Sequence, residues 1–233
     1  MGLTGFIGEV ELQLRPIASA YVRAQHHAAS NLDGLFDLFA DPDRDAPYTV
    51  AWIDCLSSGN KLGRGVLMTG HHAALQELPI GVRSRPYDLP AVKALSVPVN
   101  LPGWALNPLS VSLFNEAYFA AQARKRAPFI ADLRSFFYPL DNIHHWNRIY
   151  GAGGFVQYQF VIPEPGASAA LRELLKRIAS SRHASFLAVL KRMGPAGNGM
   201  LSFPMLGYTL ALDLSLRDPD LFKLLDELDE LVI

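Results

Sequence analysis

The stretch FVQYQFVIPEPGASAALRELLKRIAS, residues 155–180, carries the pattern from which the fold is read. Its first residues alternate. Val156, Tyr158 and Phe160 point one way, and Phe155, Gln157, Gln159 and Val161 the other, as the period of two in a β-strand requires. The pattern predicts a strand over Phe155–Ile162 and a helix over Ala167–Ser181. It also raises a question of function. Amide groups on an otherwise apolar face cost free energy unless they are paired. Backbone groups, the other glutamine or a hydroxyl-rich ligand would each serve as partner.

Downstream, Ser185–Arg192 and Tyr208–Leu216 read as strands and Pro219–Val232 as a helix. The first third repeats the order. A strand near Ala20–Ala28 precedes a helical stripe of Leu32, Leu35, Phe36 and Phe39, with Ser30 and Asp33 as a loose capping signal. Strands over Tyr48–Leu56 and Leu62–Gly70 follow, joined by SSGNK. A strand–helix–strand–strand unit thus occurs twice, without a residue-level repeat. The expected class is α+β: two ferredoxin-like units forming one mixed or antiparallel sheet with helices packed on one face.

Between the units lie less regular parts. Six prolines punctuate 79–108, predicting an irregular insert that is the most mobile internal segment and lies near a pocket mouth. Leu109–Arg126 reads as a helix, Phe136–Tyr138 as a short strand, and Asp141–Tyr150 as a helix closed by Gly151. At the N-terminus, Phe6, Gly8, Val10, Leu12 and Leu14 alternate with polar residues, predicting a half-buried strand stopped by Pro16.

Composition bounds the function. Half of the 233 residues are hydrophobic and 18% are charged, a globular balance. A net charge of −1 gives no basic surface for nucleic acid. The single cysteine, Cys55, sits in the apolar run VAWIDCL and reads as core. With no signal peptide and no long apolar run, the expected location is cytoplasmic, or peripheral to a membrane through 79–108, where Trp104 and Leu106 are apolar.

Few residues suggest chemistry by themselves. His26-His27, His71-His72 and His144-His145 are adjacent pairs, and neighbours on a strand face opposite sides, so no metal site is expected. GAGGF at 151–155 precedes a strand and opens no helix, unlike a dinucleotide loop. Lys191 ends the apolar run FLAVLK, where a lysine either snorkels outward or meets an anionic or polar ligand.

A longer pattern adds to this. FFYPLDNIHHWNRIYGAGGFVQYQFVIP (136–163), SFLAVLKRMG (185–194) and LSFPMLGYTLALDLSLRD (201–218) resemble the substrate domain of decaprenylphosphoryl-β-D-ribose oxidase-like enzymes. These belong to the flavin-dependent vanillyl-alcohol-oxidase superfamily, near the aldonolactone oxidases. GLTGFIGEVELQLRP (2–16) and VAWIDC with LGRGVL (50–67) extend the resemblance over nearly the whole chain. It implies FAD as cofactor and oxidation of a secondary alcohol of a sugar, sugar lactone or polyprenyl-linked sugar. It assigns Lys191 a catalytic role and Gln157, Gln159, Phe137, Thr209, Ala211 and Met193 to substrate binding. Phe137 stands where the family has tyrosine, Thr209 where it has asparagine and Ala211 where it has cysteine. By the same resemblance 1–15 is the tail of an FAD-binding domain, with Gly2 and Gly5 near the cofactor, and 16–233 is the substrate-binding domain. The family continues past LDELDELVI with a second lysine. The chain alone is therefore expected to lack tightly bound FAD and to be inactive without an FAD-binding domain in cis or trans. The alternative is a stand-alone module that binds a ligand without catalysis.

Overall fold

The computed structural model describes residues 5–41, 46–91, 95–183, 185–199, 202–217 and 219–232. The first unit comprises β1 (Tyr21–Ala29), α1 (Leu32–Ala40), β2 (Tyr48–Ile53) and β3 (Gly65–His72). Between the units lie β4 (Leu95–Ser96) of the insert, then α2 (Pro108–Ala123), β5 (Phe129–Asp132), α3 (Leu133–Phe137) and β6 (Ile143–His144). The second unit is β7 (Phe155–Pro163), α4 (Ala167–Ser181), β8 (Ala188–Met193), β9 (Gly207–Ser215) and α5 (Leu221–Val232).

Seven strands form one sheet in the order β5-β1-β3-β2-β8-β9-β7, every pairing antiparallel. The order is a palindrome: β1-β3-β2 in one unit mirrors β7-β9-β8 in the other. The two units meet where β2 pairs β8, with Ala51 opposite Leu190. This is the expected α+β sheet. Leu67, Ala51, Leu190, Leu210 and Phe160 lie in register across it and bury against Leu32 and Leu35 of α1, Leu171 and Leu174 of α4, and Leu224 and Leu228 of α5. The helices of both units thus pack on one face. Fully burying one such leucine contributes about 1.5–3 kcal/mol, which makes this layer the main source of stability.

The other face is half covered by α2. Asn107 caps this helix, accepting from the N–H groups of Leu109 and Ser110. Tyr118 meets Trp52 of β2, with ring centroids 4.8 Å apart. Below them, Arg64 is buried and donates twice to Asp54 Oδ2, at 2.9 and 2.7 Å, and once to Glu116 of α2 at 2.7 Å. Asn115 donates to Asp54 Oδ1 at 2.8 Å. Burial alone would raise the Asp54 carboxyl, but hydrogen bonds from Ser57, Arg64, Leu56 and Asn115 outweigh it and hold the group below its ordinary value. The cluster bolts α2 to the β2–β3 hairpin.

Several expectations need correction. Phe6–Leu14 forms no strand, and Phe6, Ile7, Val10, Leu12 and Leu14 are exposed. Alternation supplies a face, but a strand also needs a ladder partner, and none of the described strands offers one. The cap of α1 is Asn31, which accepts from Gly34 N–H, rather than Ser30. Phe136–Tyr138 is not a strand. The strand lies earlier, at Phe129–Asp132, and Asp132 then caps the short helix α3. Asp141–Tyr150 is not one helix but two 3-10 turns around β6, which pairs in parallel with β4 of the insert. Gly151 does close it, at φ 73.

The insert is irregular apart from β4 and short turns, but it is held in place. Arg148 donates to the carbonyls of Val97 and Pro98. Arg217 donates to those of Gly103, Leu101 and Tyr150. Any side chain at Gly151 would collide with this guanidinium, 2.2 Å from an ideal Cβ, so glycine there serves both φ and space.

Candidate functional site

The half of the second face that α2 leaves open is built by β7, β9, β8 and β2. Register decides what meets there. Gln157 lies opposite Asp213. Gln159 lies opposite Ala211, which in turn faces Val189. Val161 lies opposite Thr209, which faces Lys191. Met193, two residues beyond Lys191, shares its face. Gln157, Gln159 and Lys191 are exposed, whereas Thr209 and Asp213 are buried at 2%.

The structure therefore layers the site. Two exposed amides stand over two buried polar groups of the neighbouring strand. Gln157 Nε2 donates to Asp213 Oδ1 at 2.9 Å, and Gln159 Nε2 donates to Thr209 Oγ1 at 3.1 Å. The Thr209 hydroxyl in turn donates a hydrogen bond to the Phe160 carbonyl at 2.7 Å. Burial pushes the Asp213 carboxyl above its ordinary value, and the bond from Gln157 partly offsets this. Beside Asp213, on the same face, Tyr150 is fully buried. It stacks on Phe155 and Phe186, with centroids 4.5 and 5.4 Å apart, and Trp146 lies against Phe155.

Phe137 reaches the same face from α3. Gly70, opposite Tyr48, makes this possible: an ideal Cβ there would sit 2.6 Å from the Phe136 ring. With no side chain in the way, α3 lies on the sheet and sets Phe137 against Tyr48, 4.8 Å between centroids. From β2 to β7 is three strand spacings, about 14 Å. All seven residues singled out in the sequence for catalysis or substrate binding thus share one face: Phe137, Gln157, Gln159, Lys191, Met193, Thr209 and Ala211. The glutamines and Lys191 occupy its β7–β8 end, and Phe137 stands beyond β8.

Sequence reasoning missed Asp213 and Tyr48. Both carried a signal: Asp213 continues the parity of Thr209 and Ala211, and Tyr48 that of Val50 and Trp52. It also missed that Arg148, within the stretch read as a helix, pins the insert.

The other candidates lie elsewhere. Gly5 is exposed with no atom within 4 Å of an ideal Cβ, and Gly2 is outside the described residues. His26 is buried under α2 beside Phe129, while His27 faces the opposite layer. Among the described residues no cluster of three or more His, Cys, Asp or Glu could hold a metal. Cys55 is in the core, where burial pushes its thiol up and leaves it unreactive. Among the described residues no helix is long and apolar enough to cross a membrane.

Comparison with known proteins agrees with the sequence resemblance. The whole chain is 32% identical to decaprenylphosphoryl-β-D-ribose oxidase of Mycolicibacterium smegmatis, matching 50% of that protein. It is 34% identical, over 99% of its length, to an uncharacterised protein in the mprA 5′ region of Streptomyces coelicolor, matching 64% of it. No protein-family profile matches. The chain is thus a relative of an oxidase, and spans between half and two thirds of these curated relatives.

Proposed function

We propose that this chain is the substrate-binding portion of an FAD-linked oxidoreductase acting on a secondary alcohol of a sugar, sugar lactone or polyprenyl-linked sugar. The observation that carries the reading is the open polar face, on which Gln157, Gln159 and Lys191 stand exposed on two strands of one sheet, in a relative of an oxidase. Exposed amides held by buried partners suit hydroxyl recognition, because their orientation is fixed before a ligand arrives.

The redox chemistry would belong to the flavin, held by an FAD-binding domain in cis or in trans. This chain's residues bind and orient. Gln157 and Gln159 receive sugar hydroxyls and fix the position of the carbon that bears the reacting oxygen. Lys191 donates to a substrate oxygen and favours negative charge on it. Phe137 and Tyr48 border the face on the β2 side with apolar surface. The exposed Leu95, Val99 and Trp104 of the insert offer apolar surface to a polyprenyl tail or a membrane.

Three alanine variants test the reading in the flavin-containing enzyme. Gln157→Ala and Gln159→Ala each remove a bond to a neutral group, about 0.5–1.5 kcal/mol, and Lys191→Ala one from a charged group, about 1.5–3 kcal/mol. Each should lower turnover or raise KM, with Lys191→Ala the most damaging, and only the two glutamine variants, which also lose their bonds to Asp213 and Thr209, should lower the melting temperature, by a few degrees. Folded variants with unchanged kinetics would overturn the assignment.

A further inference from the structure

We infer that Asp213 is a positioning residue that locks the Gln157 side chain with its carbonyl outward, so that this part of the face accepts hydrogen bonds and selects ligands that donate them. The inference rests on the substrate-binding reading above and adds a polarity to it. A glutamine amide has two unlike ends, and in water it turns freely between them. Here it does not. Asp213 lies directly opposite Gln157 in the ladder and is 2% exposed, and its Oδ1 is 2.9 Å from Gln157 Nε2. With Oδ1 accepting from Nε2, the amide turns its nitrogen inward and its Oε1 toward solvent.

The neighbouring pair obeys the same logic by a different route. A threonine hydroxyl has one proton, and that of Thr209 goes to the Phe160 carbonyl. Its Oγ1 is then left to accept, which fixes Gln159 Nε2 inward and its carbonyl outward. Two amides two residues apart on one strand thus present two acceptors in a row, about 6–7 Å apart. Lys191, on the next strand but one, is a donor without acceptor capacity. The face therefore reads acceptor, acceptor, donor. A ligand matching it carries two hydroxyls that donate and one oxygen that accepts. A ketone, ether or fluorine in place of either hydroxyl meets a lone pair and is rejected.

The experiment is a side-chain NMR measurement on the 15N-labelled chain, with the Gln157 Nε2 resonances identified by their loss in Gln157→Glu. In the parent, one Nε2 proton should exchange with water about tenfold more slowly than those of the exposed Gln76, the factor that about 1.4 kcal/mol of hydrogen bonding gives. In Asp213→Val, which removes the acceptor, the protection should vanish while the backbone spectrum stays dispersed. Unprotected protons in the parent overturn the lock without reference to any variant. Protection that survives Asp213→Val overturns the role of Asp213. A second arm titrates D-ribose into the parent and into Asp213→Asn, which keeps the shape but offers either amide end. Affinity should fall about threefold or more, and an unchanged affinity overturns the selecting role. Failure of D-ribose to bind the parent at all counts against the substrate-binding reading and the selecting role built on it, while the exchange arm still decides whether Asp213 sets the amide.

Discussion

Replacing Arg64 by methionine tests what holds α2 over the sheet. The guanidinium is 5% exposed in its side chain and makes three charge-assisted bonds, two to Asp54 and one to Glu116. It also lies 5.1 Å from the Phe119 ring centroid. Methionine keeps most of the volume and none of the bonds, leaving the Asp54 carboxylate buried with Ser57, Asn115 and the Leu56 N–H as partners. Breaking a buried pair from one side costs about 3–5 kcal/mol, because the remaining charge is uncompensated. For a chain of this size each kcal/mol moves the midpoint by about 2–4 °C, so Tm should fall by roughly 6–20 °C. The pH dependence should also weaken. In the parent the Asp54 carboxyl is held low, so its stability is present above the unfolded value and is lost as pH falls through the folded one. Without Arg64 one of the lowering hydrogen bonds is lost and that value rises, so the deficit of Arg64→Met relative to the parent should shrink as pH falls toward 4. Urea titrations at pH 7 and pH 4.5 read both effects. A loss below about 1 kcal/mol at pH 7 would mean that the cluster is not what fastens α2.

Two further substitutions test other parts of the structure. Thr209→Val keeps the shape and strand preference but deletes the oxygen that links Gln159 to the Phe160 carbonyl; urea titration should show a loss of about 1–2 kcal/mol, from two net hydrogen bonds, and no loss would show the link to be idle. Burial, then the charges of Lys125 and His27, depress His26 to about 4. Its folded value lies below its unfolded one, so its contribution is complete above about 6.5 and lost as pH falls toward 4. His26→Leu should flatten the stability profile across that window by about 3 kcal/mol, and an unchanged slope would place the proton uptake elsewhere.

The regular layers of the fold were legible because periodicity reports burial. The strands of both units and the helix Ala167–Ser181 follow from alternation and from apolar stripes, and their order twice over foretold one sheet built of two like units. Elements that depend on a partner were not. Phe6–Leu14 has the alternation of a strand and remains unpaired, whereas Phe129–Asp132, with little alternation, becomes an edge strand because β1 offers it a ladder. Asp141–Tyr150 failed for a related reason: the His144 and Arg148 carbonyls accept from Val97 and Leu101 and that of Tyr150 accepts from Arg217, and a helix would have withdrawn such groups.

The site divides along the same line. Period two is enough to put Gln157 and Gln159 on one face and Lys191, Thr209 and Ala211 on matching parities of their own strands. It says nothing of depth. Whether an amide on that face is a free hook or a held one depends on the residue beneath it, and that residue comes from a strand some fifty positions later, at a register that only the folded sheet sets. Asp213 looked like an ordinary charge in an apolar run until the ladder placed it opposite Gln157. A shift of one residue between β7 and β9 would put Asp213 on the helix-packed face and Leu212 or Leu214 under the glutamine. The buried leucines at 210, 212 and 214 forbid that slip, since it would turn three core side chains into solvent. The apolar layer thus fixes the register, and the register fixes the polarity of the face on the other side of the sheet.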